Sequence, residues 1–275
     1  MNYIKINNKK YEIKSFSNGG NNKGYIEFSK NKIGKIIYLS EERKNNKKLD
    51  TEGYNENPYR EIENFKECNK IIQSKITTNL VKFYEYHIYN DNIIIIMDKY
   101  KGDLKSIINN LNAKQLWSIF FQIFFTFIIL QDKLGFYQGD FNLTNVLYKT
   151  STNKNFNYVY NGIKYKVPNE GYKIAVSDYG NAIINKFILS NNEKEYYPIR
   201  IEKRVELYEI IYLFTNLFKK IKLNNYFKSK LLLLQYIIDN QVVFNEYNGI
   251  YTINAEKSKP SNHSLLLQII FNDYL

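Results

Sequence analysis

The residues of this chain best suited to chemistry are two acids and an amide. Asp140 and Asn145 lie five positions apart in QGDFNLTNVLY, just ahead of an apolar triplet, and Asp178 follows the apolar run of IAVSDYG, directly before Tyr179 and Gly180. Carboxylate and carboxamide oxygens are hard donors that suit Mg²⁺, and a carboxylate beside a hydroxyl can orient it and take its proton. Taken singly, Asp and Asn also open and cap ordinary turns. The order of the two motifs, and the elements that hold them, must therefore decide.

Those elements begin with a strand-rich segment. Residues 1 to about 40 alternate apolar and polar types, with Gly19, Gly20 and Gly24 marking tight turns, which predicts a meander of antiparallel strands. The segment from Glu41 to Pro58 is charged and Asn-rich and is expected to be an exposed loop. Ile62, Phe65, Ile71 and Ile72 are spaced for one amphipathic helix over Tyr59 to Lys75, with acids early in it. Two strands follow, LVKFYEYHIY and NIIIIMDKY, the second apolar from Ile93 to Met97 and so expected to be central in a sheet. After Gly102 the pattern turns helical, with a short segment from Asp103 to Leu111 and a long helix from Ala113 to Leu134. A strand pair is expected at Val146–Tyr148 and Ile174–Val176, and helices near Glu202–Lys220, Tyr226–Asp239 and Ser264–Phe271. Between Lys149 and Lys173 an insert reads as a hairpin turning at Asn161-Gly162.

Composition narrows the chemistry further. Lys and Arg number 39 against 27 acids, a net +12 that favours anionic partners such as nucleotides or acidic peptides. Nucleic acid is compatible with that charge, but no clustered basic and aromatic platform supports it. Cys68 is the only cysteine, which removes intrachain disulfides and thiolate zinc clusters and points to the cytoplasm or another reducing intracellular compartment. His87 and His263 are too few for histidine metal sites or Ser/His/Asp catalysis. MNYIKINNKK lacks the apolar core of a secretory signal. The strongest apolar run, Leu116 to Leu130, falls short of the ~20 residues of a membrane span and carries Ser118, Gln122 and Thr126, so a buried helix and no membrane span are expected.

A strand-rich part with one helix, a linker and a helical part carrying Asp-x4-Asn and then Asp-aromatic-Gly together resemble the protein-kinase superfamily over nearly the whole chain. The insert and composition are similar to the divergent kinases of large DNA viruses, poxviruses included, and to haspin-like kinases. The resemblance implies an α+β, bilobal fold: residues 1–99 as a small antiparallel-sheet lobe with one helix, and 100–275 as a larger, mainly helical lobe with the insert at 149–173. It implies ATP and Mg²⁺ as cofactors, with Asp140 as catalytic base and Asn145 and Asp178 as metal ligands. Met97, Asp98, Lys99 and Tyr100 match the gatekeeper and hinge that bind adenine, Asp103 the acid near the ribose, and Gly19, Gly20 and Gly24 the phosphate-covering loop. Glu67 matches the helix glutamate that pairs with the strand lysine, with Glu61 and Glu63 as rivals.

The departures from that pattern matter as well. The lysine expected after Val-Ala-Ile has no clean counterpart: IGKIIYLSE leaves Tyr38, Leu39 or Ser40 there, Lys35 is one strand step off, and Lys47 or Lys48 needs a shifted register. Gln138-Gly139 replaces His-Arg, which argues against control by a phosphorylated activation loop. By the same resemblance Glu206 replaces the aspartate of the following core helix. The implied activity is phosphoryl transfer to a protein hydroxyl, with serine or threonine as the expected acceptor. The alternatives are a pseudokinase acting as a binding protein and, ranked lower because the chain is basic, a small-molecule phosphotransferase. The viral likeness would place the protein in an infected host cell, with the virion as the other location.

Overall fold

The isoleucine run from Ile93 to Met97 is buried along its whole length because both faces of its strand are covered. In the computed structural model of the chain, the residues described are 3–6, 9–14, 22–39, 41, 58–187, 205–242, 244–247, 250–253 and 262–275. Strands β1 (Tyr3–Ile6) and β2 (Lys9–Glu12) form a hairpin. Then come β3 (Asn22–Ser29) and β4 (Lys32–Tyr38), helix α1 (Pro58–Gln73), and strands β5 (Phe83–Tyr89) and β6 (Asn92–Asp98). The four longer strands make an antiparallel sheet in the order β3-β4-β6-β5. One face presents Ile37, Ile93, Ile95 and Met97 to Phe65, Cys68 and Ile71 of α1 in the main core. The other presents Ile26, Ile36, Ile94 and Ile96 to Ile4 and Ile6 of β1. Alternation along β4 and β6 thus sorts neighbouring isoleucines into two cores.

Past Asp98 the chain runs through β7 (Gly102–Asp103) and two short 3₁₀ turns, where one helical segment was expected, into α2 (Ala113–Leu134). Asn112 and Gln115 cap α2 reciprocally, and Gly135 ends it in the left-handed region at φ 56°. Downstream lie β8 (Phe136–Tyr137), β9 (Val146–Thr150), β10 (Asn155–Tyr160), β11 (Ile163–Pro168), β12 (Tyr172–Val176) and β13 (Ile183–Ile184). Helices α3 (Val205–Phe218) and α4 (Asn225–Gln241), the hairpin β14 (Phe244–Tyr247) and β15 (Ile250–Ile253), and helix α5 (His263–Ile270) complete the described chain. The fold is therefore mixed α and β, with antiparallel sheets and five α-helices among the described residues. The expected strand pair forms with Val146 opposite Val176, and β10 and β11 turn at Asn161 (φ 48°) and Gly162 (φ 80°).

Helix α2 is 22 residues long, enough by length and apolar composition to cross a membrane, which corrects the shorter estimate drawn from the phenylalanine run. Yet 83% of its most apolar window is buried within the fold. Its polar residues account for that placement. Ser118 donates to the Pro168 carbonyl, and Gln122 donates to that of Tyr172 while accepting from the Asn79 amide and the Ile174 N–H. Thr126 bonds back to the Gln122 carbonyl. Buried polar groups with such partners belong to a helix packed on β11 and β12.

Candidate active site

Lysine 35 lies on β4 between Ile33 and Ile37, on the face that packs toward α1. A lysine there must find an acid, because an unpaired buried ammonium is costly. It finds two: Nζ lies 2.9 Å from Glu61 Oε1 and 2.8 Å from Asp178 Oδ1. The Glu61 side chain is fully buried, while that of Asp178 keeps 28% of its surface exposed, so the network opens to solvent on the Asp178 side. Asp178 itself sits at φ 60°, a conformation that Asp tolerates better than most residues. Held strain of this kind gathers at functional sites.

A cavity of about 410 Å³ opens along this network, and its walls include Lys35, Glu61, Met97, Tyr100, Asp103, Asn145 and Asp178. Asn145 and Asp178 reach it from adjacent strand ends, since the Ser177 N–H donates to the Asn145 carbonyl at 2.8 Å. The Asn145 amide also donates to the Asp140 carbonyl at 2.9 Å, tying the Asp140 loop to the cavity. Asp140 is exposed, with its carboxylate approached by the Asn142 amide at 3.3 Å. A second cavity, about 600 Å³ and walled by Lys105, Phe141, Asn142, Leu143, Glu209 and Leu213, shares Thr144 with the first. Asp140 lines neither cavity, but its hydrogen-bond partners Asn145 and Asn142 line the first and the second.

Buried groups hold the loop from below. The Gln138 N–H donates to Glu206 of α3 at 2.9 Å, and its side-chain amide donates to the Ser177 carbonyl at 2.9 Å and the Asp178 carbonyl at 3.3 Å. One glutamine thus fastens the Asp140 and Asp178 segments to each other. Asn64 of α1 donates to the carbonyls of Tyr179 and Ala182 at 3.0 and 2.8 Å. Aromatic rings run alongside: Phe83 on Phe65 (5.7 Å), Phe65 on Tyr179 (4.9 Å), Tyr179 on Phe136 (5.9 Å), Phe136 on Phe127 (6.2 Å) and Phe127 on Phe141 (5.1 Å). This column connects β5, α1, the Asp178 turn and the Asp140 loop in one packed line.

Not every residue singled out from the sequence joins the cavity. Glu67 is the clearest correction: it faces away and pairs with Lys70 and Lys186, both at 2.8 Å, while its rival Glu61 takes the strand lysine. Burial alone would raise the Glu67 carboxyl, but these two lysines outweigh it and hold the group below its ordinary range. The six-residue step from Glu61 to Glu67 leaves the two on helix faces roughly 240° apart. Asp98 points outside the cavity, accepting from Tyr84 Oη at 2.7 Å and pairing with Lys149 at 3.2 Å. Asp103 lines the cavity but also caps a 3₁₀ turn through the Ser106 N–H. Gly24, at φ 135°, packs its backbone against Lys14, where an added Cβ would come within 2.2 Å of the carbonyl oxygen. Gly19, Gly20, Lys47 and Lys48 lie outside the described residues. Of the hinge residues, Asp98 and Lys99 commit their N–H groups to the carbonyls of Lys82 and Asn31.

Sequence reasoning ranked Lys35 and Glu61 only as alternatives, and it passed over Asn64 and the bracing role of Gln138. Two signals were available: a lysine on the apolar face of a strand, and a glutamate at the helical spacing of Phe65 and Cys68.

Among the described residues no cluster of three or more His, Cys, Asp or Glu side chains could hold a metal on its own. A Mg²⁺ ion that keeps waters and shares phosphate oxygens needs one or two protein donors. Asn145 and Asp178, oxygen donors on one cavity wall, fit that requirement. No protein-family model matches the chain, and no curated protein matches it.

Next to this site Cys68 is fully buried against Tyr179, and burial pushes its thiol up to about 12. A thiol so protonated and enclosed is inert. Native protein at pH 8 is expected to leave Cys68 unlabelled by a thiol-exchange reagent, with full labelling only after denaturation. Rapid labelling of the native protein would mean that α1 and the Asp178 turn separate readily.

Proposed function

We propose that the chain is an ATP- and Mg²⁺-dependent protein kinase of divergent type, bilobal, with residues 1–99 as the smaller part and 100–275 as the larger. The observation that carries this reading is Lys35 held between Glu61 and Asp178 on the wall of a cavity that also contains Asn145. A buried lysine fixed by one acid and shared with a second is suited to stabilising charge on phosphate oxygens. Asn145 and Asp178 would hold the metal, which when bound neutralises charge between the phosphates. Met97 and the Tyr100 backbone would face the base, and Asp103 the ribose.

Asp140 would take the proton of the acceptor hydroxyl. Its exposure lets a macromolecular substrate approach, and Asn142 orients its carboxylate. The adjoining cavity of about 600 Å³, with apolar walls and one charge of each sign in Lys105 and Glu209, suits a side chain of a protein acceptor. Among the described residues its walls lack the massed acids expected of a site for small cationic substrates. The pseudokinase alternative rests on a missing strand lysine and an irregular glycine loop; Lys35, paired with Glu61, speaks against the first of these.

The test is phosphate transfer from labelled ATP to a serine- and threonine-bearing protein acceptor, comparing the parent with Asp140→Asn. A rate loss of roughly 10²- to 10⁴-fold is expected, the range for removing a general base. Nucleotide with Mg²⁺ should raise the melting point of both proteins alike, because Asp140 is not among the proposed nucleotide ligands. Equal transfer by the two proteins would remove the mechanism, and a melting shift without transfer to any acceptor would favour the binding-protein alternative.

A further inference from the structure

Outside the cavity, lysines from β4, β9, β12 and the residue before β5 gather near the Asp98 carboxylate at the end of β6. Lys32 Nζ lies 3.9 Å and Lys82 Nζ 5.0 Å from the Tyr84 ring centre, and the Tyr84 hydroxyl donates to Asp98 Oδ1 at 2.7 Å. Lys149 Nζ lies 3.2 Å from Asp98 Oδ2 and 4.3 Å from the Tyr100 ring centre. Lys173 is the cross-strand partner of Lys149. Of these four lysines Lys149 holds the close ion pair with Asp98, and among the described residues neither Lys82 nor Lys173 makes an ion pair. Burial and the neighbouring Lys149 hold the Lys173 ammonium below its ordinary range, and Asp98 offsets them only in part.

We propose that Lys32, Lys82, Lys149 and Lys173, arranged around Tyr84 and Asp98, form a docking site for an acidic segment of a partner protein. Asp98 occupies the middle of the cluster and would repel one compact anion placed there. Ammoniums on both sides of it suit carboxylates spaced along an extended chain. The Tyr84 ring is already approached by Lys32 and Lys82, which leaves a poor platform for stacked bases. Next to Lys82 the edge of the outer strand β5 offers no backbone partner, since Phe83 is capped in both directions by the Asn69 amide, so side chains do the binding there.

The experiment is fluorescence anisotropy of labelled poly-glutamate peptide with the full chain, without nucleotide, so it fails or succeeds independently of the kinase reading. The variant Lys82→Gln/Lys173→Gln leaves Lys149 on Asp98, and circular dichroism checks its fold. Binding that weakens roughly tenfold in this variant, with little change in a Lys219→Gln/Lys220→Gln control on the end of α3, is expected. Equal weakening in the control would reduce the effect to net charge and overturn the proposal. So would absence of peptide binding at low salt, displacement of the peptide by inorganic phosphate at equal charge concentration, or preferential binding of oligothymidylate that the first variant abolishes.

Discussion

Replacing Lys35 with methionine is expected to cut phosphate transfer by roughly 10²- to 10³-fold, the cost of removing one preorganised charge donor from an active site. The same substitution should destabilise the fold by about 3–5 kcal/mol, because breaking a buried ion pair leaves the surviving charge uncompensated. Glu61 is that survivor, fully buried and 2.9 Å from the lost ammonium. The two effects are separable. In Lys35→Met/Glu61→Gln the denaturant midpoint should recover much of its loss, while transfer stays low because nothing replaces the ammonium beside Asp178. Denaturation curves and transfer rates for the two single variants and the double form the necessary cycle. Recovery of both together would mean that Lys35 matters only as a structural ion.

The second large effect is expected at Tyr179, the middle of the aromatic column. Its ring is fully buried between Phe65 and Phe136, and its hydroxyl donates to the Val176 carbonyl at 2.7 Å. Tyr179→Ala opens a cavity where α1, the Asp178 turn and the Asp140 loop meet, for a cost of about 3–5 kcal/mol. Tyr179→Phe keeps the ring and loses one hydrogen bond, a change of about 1 kcal/mol. Transfer should follow packing: the phenylalanine variant is expected to stay within several-fold of the parent, and the alanine variant to lose most activity even where it remains folded. Comparable midpoints for the two would show that the column contributes little.

Much of the architecture could be read before any coordinates. Periodicity placed α2 at its observed ends, Asn161-Gly162 marked the hairpin, and the all-isoleucine run identified the central strand. Each signal is local, a matter of spacing or turn chemistry. Asn145 and Asp178 were legible because one directly precedes and the other follows a recognisable strand, and they do line one cavity. The lysine and its glutamate were not. Their meeting spans 26 residues and depends on which face of β4 meets which face of α1. Matching an apolar run ahead of a lysine misled, because here Lys35 precedes Ile36 and Ile37. Asp98 misled in another way: one step of strand alternation separates it from Met97, and that step carries its side chain out of the cavity.

The hairpin insert is wired into the centre of the protein. Tyr158 donates to Asn79 at 2.8 Å; Asn79 in turn reaches Gln122 and the Ile174 carbonyl, and the Tyr165 ring packs 5.6 Å from that of Phe121. A shortened chain that splices across residues 151–171 would strip the α2 surface and strand a buried asparagine. What looks in the sequence like a removable decoration is therefore an obligate wall, and engineered fusions or tags are better seated elsewhere.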